Sequence, residues 1–459
     1  MLRDRHTIDK VFEQILPLVP RMDPVLAKID QILEDGSLFR LIRNDLGRRY
    51  RWTLITGRNS TPVDVILRML VIKRLYGYSY EETERAVSDS LILRQFCRVY
   101  LNQVPDDTTL IKWANVVKPE TLEKFNDRIT ALAIQLKVTE GRKLRTDGTA
   151  VETNIHPPMD SRQLADSVRV LARTVERAKR VLEQTGKSGL EPFQNYTRAA
   201  KIKSHQISEI LRKRSDQAKE AGKQAYAEMI EMTRQTVEQA QQTAEHLEQQ
   251  TEQAAQRLAK ILQTFIPRAR QVIDQTQRRI IQKEGVPASD KLVSIFESHT
   301  NIIVRGKESH PVEYGHKIWL NEVDGGIISH YRILKGNPSD NLQWIPSLQA
   351  HILTFKKPPE QASADRGLYS QANEQAAKEL GVAKIILPKG GYRSKKRRKY
   401  EGQEWFILGR HWHAGVEGRI SVLKRAHGLR RCLDHGSPGF ERWVGWGIIT
   451  GNLKVMGRA

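Results

Sequence analysis

The feature that most constrains this chain is a tract from about 161 to 283 that reads as helix almost throughout. It is rich in Ala, Gln, Glu, Lys and Arg and contains no tryptophan. Leu164, Val168, Leu171, Val175, Ala178 and Leu182 recur at helical spacing and mark one stripe. Ile202, Ile207, Ile210 and Leu211 mark a second, and from Ala218 to Leu262 apolar residues keep to one side with Gln or Glu elsewhere. Gly186, Gly189 and Pro192 make a break, and Pro267 interrupts the tract near its end. Strand signals stand on both sides of it. The tract therefore reads as a helical hairpin or coiled coil inserted into another domain.

Upstream, residues 1–138 read as mostly helical. Pro62 follows Ser60 and Thr61, as a helix start prefers, and Val63, Ile66, Leu67, Leu70, Val71 and Leu75 keep helical spacing. Gly77 ends that run, and Ser79 with Glu82 has capping-box spacing. Asp106 or Asp107 is placed to cap a helix carrying Ile111, Trp113 and Val117. Several short helices in a row fit a compact bundle, with room for a helix-turn-helix.

The alternation of Lys143–Val151 predicts a strand. Beyond the tract, Val312–Leu320 and Gly326–Leu334 predict two more, joined by a hairpin at Asp324-Gly325-Gly326. A helix is expected around Asp340 to Phe355. After the segment reaching Asp365 come a helix from Ser370 to Leu380 and a buried strand from Val382 to Leu387. A basic loop, a helix from about Ala414 to Arg425 and an apolar C-terminal helix complete the chain. Without the insertion, this order predicts an α/β fold of RNase H-like type: three antiparallel and two parallel strands in one mixed sheet, flanked by helices. The expected division is a helical N-terminal domain over 1–138, the first part of a catalytic domain over 139–160, the helical insertion over 161–298 and the rest of the catalytic domain over 299–459.

Composition narrows the partner. The net charge is +22 and the pI about 9.9. Such a surplus favours a polyanion, because binding releases the counterions condensed on phosphates. No run approaches the roughly 20 apolar residues of a membrane span, and the start, Met1 to Lys10, lacks the apolar run of a signal peptide. The two cysteines, Cys97 and Cys432, are far apart and have no Cys or His at metal spacing. Neither a disulfide framework nor a zinc site is expected, and a reducing cytoplasm is.

Three acids fall where the expected sheet would gather them. Asp147 lies on the first strand, Asp365 ends the fourth, and Glu417 rides on the helix after the fifth. Carboxylates are hard ligands suited to Mg²⁺ or Mn²⁺, and two such ions about 3.5–4 Å apart can activate an attacking oxygen and stabilise a leaving one. With 53 Asp and Glu in the chain, a single acid is ordinarily a surface or capping group. Asp365 could cap the turn before Ser370, and Glu417 could pair with Arg419 or Lys424. The argument is the joint placement. Gly148 and Gly367 lie beside two of the acids, where a bulky side chain would crowd an approaching DNA backbone.

The segments Thr146-Asp147-Gly148-Thr149, Ala364-Asp365-Arg366-Gly367-Leu368-Tyr369-Ser370 and Gly415 to Lys424 resemble the three catalytic blocks of bacterial insertion-sequence DDE transposases. Thr153 to Ser161, followed by Val168 to Leu171, resembles the ISNCY-type group most closely, and Pro62 to Ala86 resembles the N-terminal domain of such enzymes. The resemblance implies metal-dependent DNA cleavage at element ends and 3′-OH strand transfer into target DNA. Asp147, Asp365 and Glu417 would be both catalytic and metal-binding, with two Mg²⁺ (or Mn²⁺) ions as cofactor. Its expected partners are double-stranded DNA, as terminal inverted repeats and target, and a second copy in a paired-end homodimer. Its setting would be the bacterial cytoplasm near the nucleoid, with no membrane. Many relatives carry a Tyr-x₂-Arg-x₃-Glu-x₆-Lys signature. Glu417 and Lys424 match it, so phosphate contact is expected of Lys424, whereas Arg410 and His413 stand where the Tyr and Arg would be. Glu417 and Lys424 are seven residues apart and so share a helix face, two turns being about 7.2 residues. Arg410 remains a phosphate candidate. His413 reads as an ordinary polar residue at a helix start. Asp160 and Glu297 also lie in family-like blocks but are given no metal role. Asp160-Ser161 reads as a helix cap.

Lys389, Arg393, Lys395, Lys396, Arg397, Arg398 and Lys399 have no acid among them and precede the third block. Together with Arg425, Arg430 and Arg431 they form the expected DNA-facing surface, the alternative being a solvated loop. Trp405, Trp412, Trp443 and Trp446 could stack on an unpaired base but read more simply as core. His310, His316 and His330 lack ligand spacing and read as structural. Two other readings fit the same sequence: a nuclease of this fold without strand transfer, and a non-catalytic DNA-binding protein.

Overall fold

The computed structural model describes residues 1–18, 21–49, 51–57, 59–184, 193–213, 215–304 and 311–459. Gly186, Gly189, Pro192 and His310 lie outside the described residues. The chain divides into two compact units, one of residues 1–153 with 315–459 and one of residues 154–314. Among the described residues, no helix is long and apolar enough to cross a membrane. Cys97 and Cys432 are both buried and form no disulfide.

In the first unit, the helix Val63–Tyr76 is the hub of the N-terminal bundle. Its apolar spacing predicts one buried face, yet every residue from Val63 to Arg74 is buried, because neighbouring helices surround it. Its polar residues consequently need partners. Arg68 is fully buried and donates to Asp64 at 2.8 Å, to Glu34 at 2.6 Å and to Asp30. Pro62 sits at the N-cap, just before the first turn. The helix stops where Gly77 turns left-handed, φ 72°. The Ser79–Glu82 capping box forms in both directions, at 3.1 and 2.7 Å, and Asp106 caps Asp107–Ala114.

Among the described residues, six strands follow in chain order: β1 Lys143–Glu152, β2 Asn301–Val304, β3 Val312–Val323, β4 Ile328–Ile333, β5 Gln361–Ser363 and β6 Lys384–Ile386. β2 is a short strand of the second unit that the sequence pattern does not mark. β1 is central. It pairs antiparallel with β3, which pairs antiparallel with β4 across the Asp324–Gly326 turn. Gly325 there has φ 77°, and a Cβ on it would lie 2.0 Å from the Val138 carbonyl, so both conformation and space require glycine. On its other side β1 pairs parallel with β5, and β5 parallel with β6. Within the first unit the strands thus form a mixed sheet, in the order β4-β3-β1-β5-β6.

Helices Trp344–Phe355 and Glu404–Ala426 pack on this sheet, and Gly436–Arg458 packs against Pro119–Gln135 and Pro24–Leu33. One core joins Leu38, Ile66 and Phe125 of the N-terminal helices to Leu144, Trp319 and Ile385 of the sheet and to Trp446 and Leu453. Each such side chain contributes about 1.5–3 kcal/mol on burial, so the N-terminal helices share their stability with the sheet. Glu404–Ala426 begins well before the expected start near Ala414. Within it Gly409 allows close packing on the sheet, since a Cβ there would come within 2.6 Å of Ile386. The basic stretch is likewise not all loop, since Ser394 caps a helix over Lys395–Glu401.

The second unit packs four helices together, Asp160–Gln184, Thr197–Arg212, Asp216–Glu248 and Gln253–Thr276. A bundle rather than a single hairpin results, because the chain turns between Glu248 and Gln253 without Gly or Pro to signal it. The last helix runs through Pro267 instead of ending there, and a wider π-type turn follows at Gln277–Ile281. Leu164, Val168, Met229, Leu247 and Leu262 are among its core residues. Asp160 is already helical, and its carboxylate accepts from Arg279 at 2.7 Å and Gln275 at 3.2 Å rather than capping.

Candidate active site

The parallel register aligns Arg145 on β1 with Ser363 on β5. Two residues further along each strand direction, Asp147 comes level with Asp365. Side chains alternate along a strand, so Asp147 shares a face with Arg145, while Thr146 points into the core beneath. Thr146 Oγ1 donates there to the Leu320 carbonyl at 3.0 Å. Asp147 Oδ1 accepts from the amide of Gly148 at 2.7 Å. Asp365 does not end the strand as expected: β5 stops at Ser363, and Asp365 stands two residues on, before the turn Arg366–Leu368, with its side chain making no capping bond, while Ser370 itself caps the next helix.

The two carboxylates sense each other. Burial, together with the negative charge of Asp365, pushes the Asp147 carboxyl up to about 6; Asp340 adds to this, and the Gly148 amide and His413 oppose it. Asp365 is held below the usual carboxylate range by its hydrogen bond to His413. The Nε2 of His413 lies 3.1 Å from Asp365 Oδ1. His413 is buried, and its Nδ1 has no hydrogen-bond partner. Sequence reasoning placed His413 at a helix start; it lies mid-helix, in the site. Its four-residue spacing from Glu417, one helical turn, was the available signal. Asp340 was passed over altogether, having no family-like block around it.

Glu417 is exposed one turn beyond His413 on the same helix, Arg410 is exposed one turn before it, and Lys424 is half-buried two turns after Glu417. Arg419 does not pair with Glu417; it is half-buried and donates to Asn452 Oδ1 at 3.3 Å. The structure therefore brings Asp147, Asp365 and His413 into one neighbourhood, whereas Glu417, exposed one helical turn beyond His413, bonds to none of them. Among the described residues, no group of three His, Cys, Asp or Glu is closed up tightly enough to hold a metal ion.

The glycines next to the acids have different causes. A Cβ on Gly148 would lie 2.9 Å from the Trp319 ring, so its absence lets that ring pack rather than opening a path for DNA. A Cβ on Gly367 would meet nothing within 4 Å, and the surface there is open.

The basic residues also divide. Arg397 donates to Glu401 at 2.7 Å, to Glu374 at 2.7 Å and to the Leu387 carbonyl, and lies over the rings of Tyr369 and Tyr400. Arg393 is tied to Glu401 at 3.0 Å, and Arg431 to Glu152 at 2.7 Å. Lys395, Lys396, Arg398, Lys399, Arg425 and Arg430 are exposed, and Lys389 is half-buried. Trp443 and Trp446 are core. Trp405 is half-buried against Tyr400 and Phe406, and Trp412 lies under Arg145 at 4.8 Å. His316 packs on Phe440, and burial pushes His330 down to about 4.

No curated protein and no solved structure matches the chain. Residues 13–115, the helical region that shares its core with the sheet carrying Asp147, match the family model described as Transposase domain (DUF772), and this match supports placing the protein in a transposase family.

Proposed function

We propose that the protein is a DDE transposase of ISNCY type with an RNase H-like core, cleaving DNA at insertion-sequence ends and joining the freed 3′-OH to target DNA. The observation that carries the reading is the parallel register of β1 and β5, Arg145 level with Ser363, with Asp147 two residues further along β1 and Asp365 two residues past β5, near enough that the charge of Asp365 helps to raise Asp147. The sheet order and the match over residues 13–115 agree with it.

The residues fit a divalent cation. A half-buried carboxyl raised by a neighbouring like charge is relieved when a cation sits between the two, and an all-oxygen pair suits Mg²⁺ or Mn²⁺. Asp147 and Asp365 would hold it, with Glu417 reaching in from its helix. Two bound ions would supply activation of the attacking oxygen and neutralisation of the leaving one. The chain's own part is to orient and to clamp. His413 fixes the Asp365 carboxylate. Arg410, Arg425, Lys424 and the exposed Lys395, Lys396 and Arg398 contact phosphates of double-stranded DNA. Two copies, each holding one end, would form the paired-end complex in the bacterial cytoplasm, close to the nucleoid. The helical unit of residues 154–314 would join those copies or bind the ends.

The test is cleavage and strand transfer on DNA carrying the element's ends, with and without Mg²⁺. Joined products that need Mg²⁺ and vanish in Asp365→Asn support the reading. Cleavage without joining would favour a nuclease. Unchanged activity in Asp147→Ala and Asp365→Asn would end the catalytic assignment.

A further inference from the structure

We propose that Tyr392 is a stacking platform for an unpaired DNA base beside the cleavage site. The partner, DNA, rests on the transposase reading; the residue and its role rest on the loop.

Tyr392 is 84% exposed, an unusual position for a large aromatic side chain. Its loop leaves β6 where the sheet carries the acids. Ser363 is level with Ile386 across β5 and β6, and the Ala364 amide donates to the Ile386 carbonyl at 3.1 Å. The chain beyond Ile386 therefore emerges beside Asp365.

The loop is anchored at both ends by one carboxylate. Buried Glu401 accepts from the Lys389 amide at 2.9 Å and from Arg393 Nη1 at 3.0 Å. Arg397 braces the same carboxylate at 2.7 Å. Gly390, Gly391 and Tyr392 form the tip between these anchors. Gly391 has φ 65°, and a Cβ on either glycine would meet nothing within 4 Å. The tip is thus fixed at its base and uncovered at its crest, and the ring is held out into solvent.

The surroundings select the partner. From Pro388 to Tyr400 there is no acid, and Lys395, Lys396 and Lys399 are exposed on the short helix that follows the loop. Any base offers a π-face to an aromatic ring, and phosphates flanking that base meet the lysines. A loop anchored before binding loses little freedom on stacking, which favours affinity. Single-base stacking is worth a factor of roughly 5 to 150 in affinity by alanine substitution.

The experiment compares two labelled duplexes of one sequence, one fully paired and one forked with a short unpaired tail carrying 2-aminopurine. Anisotropy gives the affinities, and 2-aminopurine fluorescence reports stacking. Wild type should prefer the fork and quench the probe. Tyr392→Ala should lose both effects while its affinity for the paired duplex changes less than about twofold, the ring lying away from the duplex phosphates. Tyr392→Phe should keep both. A fork preference unchanged in Tyr392→Ala overturns the proposal. So does paired-duplex binding by wild type with no fork preference, and that result leaves the transposase reading standing. Failure of wild type to bind either DNA would remove both.

Discussion

Arg145 grips Glu322 directly across the β1–β3 pair, Nε to Oε2 at 2.7 Å and Nη2 to Oε1 at 2.6 Å, and its Nη1–H reaches the Trp412 carbonyl in the helix that carries His413 and Glu417. Glu322 is almost completely buried. Replacing Arg145 alone strands that charge, at a cost of about 3–5 kcal/mol. Arg145→Met should therefore lower the urea midpoint sharply, whereas Arg145→Met with Glu322→Leu should restore most of it. The double variant still lacks the tie to Trp412. Under the transposase reading it should fold well and cleave poorly. A single variant as stable as wild type would show that the buried ion pair between β1 and β3 contributes little to the fold.

Whether a glycine in that helix is a gap or a fit can be tested by adding one methyl group. A Cβ on Gly415 would lie 2.4 Å from Arg145 Nη1, whereas one on Gly418 would meet nothing within 4 Å. Alanine favours a helix over glycine by about 1 kcal/mol where nothing opposes it. Gly418→Ala should raise the thermal midpoint accordingly. Gly415→Ala should lower it, because displacing the clamped guanidinium costs about 1–3 kcal/mol. Equal shifts in the two variants would mean that Arg145 yields freely.

These positions also show where the sequence was legible. The strand Lys143–Glu152, the Ser79–Glu82 cap and the Asp324–Gly326 hairpin are local features, written in residues that touch, and the pattern reads them. The start of the site helix was placed near Ala414 rather than at Glu404, because the stretch before Ala414 packs on Ile386 of a distant strand, a contact its own residues do not reveal. The place of His413 depends on that helix meeting Asp365 across the sheet, a contact between distant parts of the chain. Arg397 looked like surface charge because Glu374, one of its two acidic partners, lies well upstream.

The raised carboxyl of Asp147 makes stability depend on pH. A group whose folded pKa, about 6, lies above its ordinary value of 3.8 binds protons more readily in the folded state. Its penalty is absent below about pH 4, grows as pH rises through 6 and is complete above. Asp147→Asn keeps an oxygen for the Gly148 amide and removes the charge. In the absence of divalent metal, the variant should be more stable than wild type at pH 7.5, and the difference should vanish near pH 4. The upper bound is about 3 kcal/mol, at 1.36 kcal/mol per unit. Thermal melts across that range measure it. A variant less stable than wild type at pH 7.5 would mean that the carboxylate is favourably solvated.

The division of the basic stretch predicts opposite phenotypes for neighbouring residues. Arg397 is bound to Glu401 and Glu374, both largely buried. Arg397→Ala leaves those acids without their cation and should destabilise the fold by about 2–4 kcal/mol. Lys395 and Lys396 are exposed, and replacing exposed residues usually changes stability by less than about 0.5 kcal/mol. If they contact phosphates, Lys395→Ala with Lys396→Ala should flatten the slope of log affinity against log salt by roughly 1.8, at about 0.9 per contact on duplex DNA. A salt slope identical to wild type would place the DNA elsewhere on the protein, while leaving the structural role of Arg397 untouched.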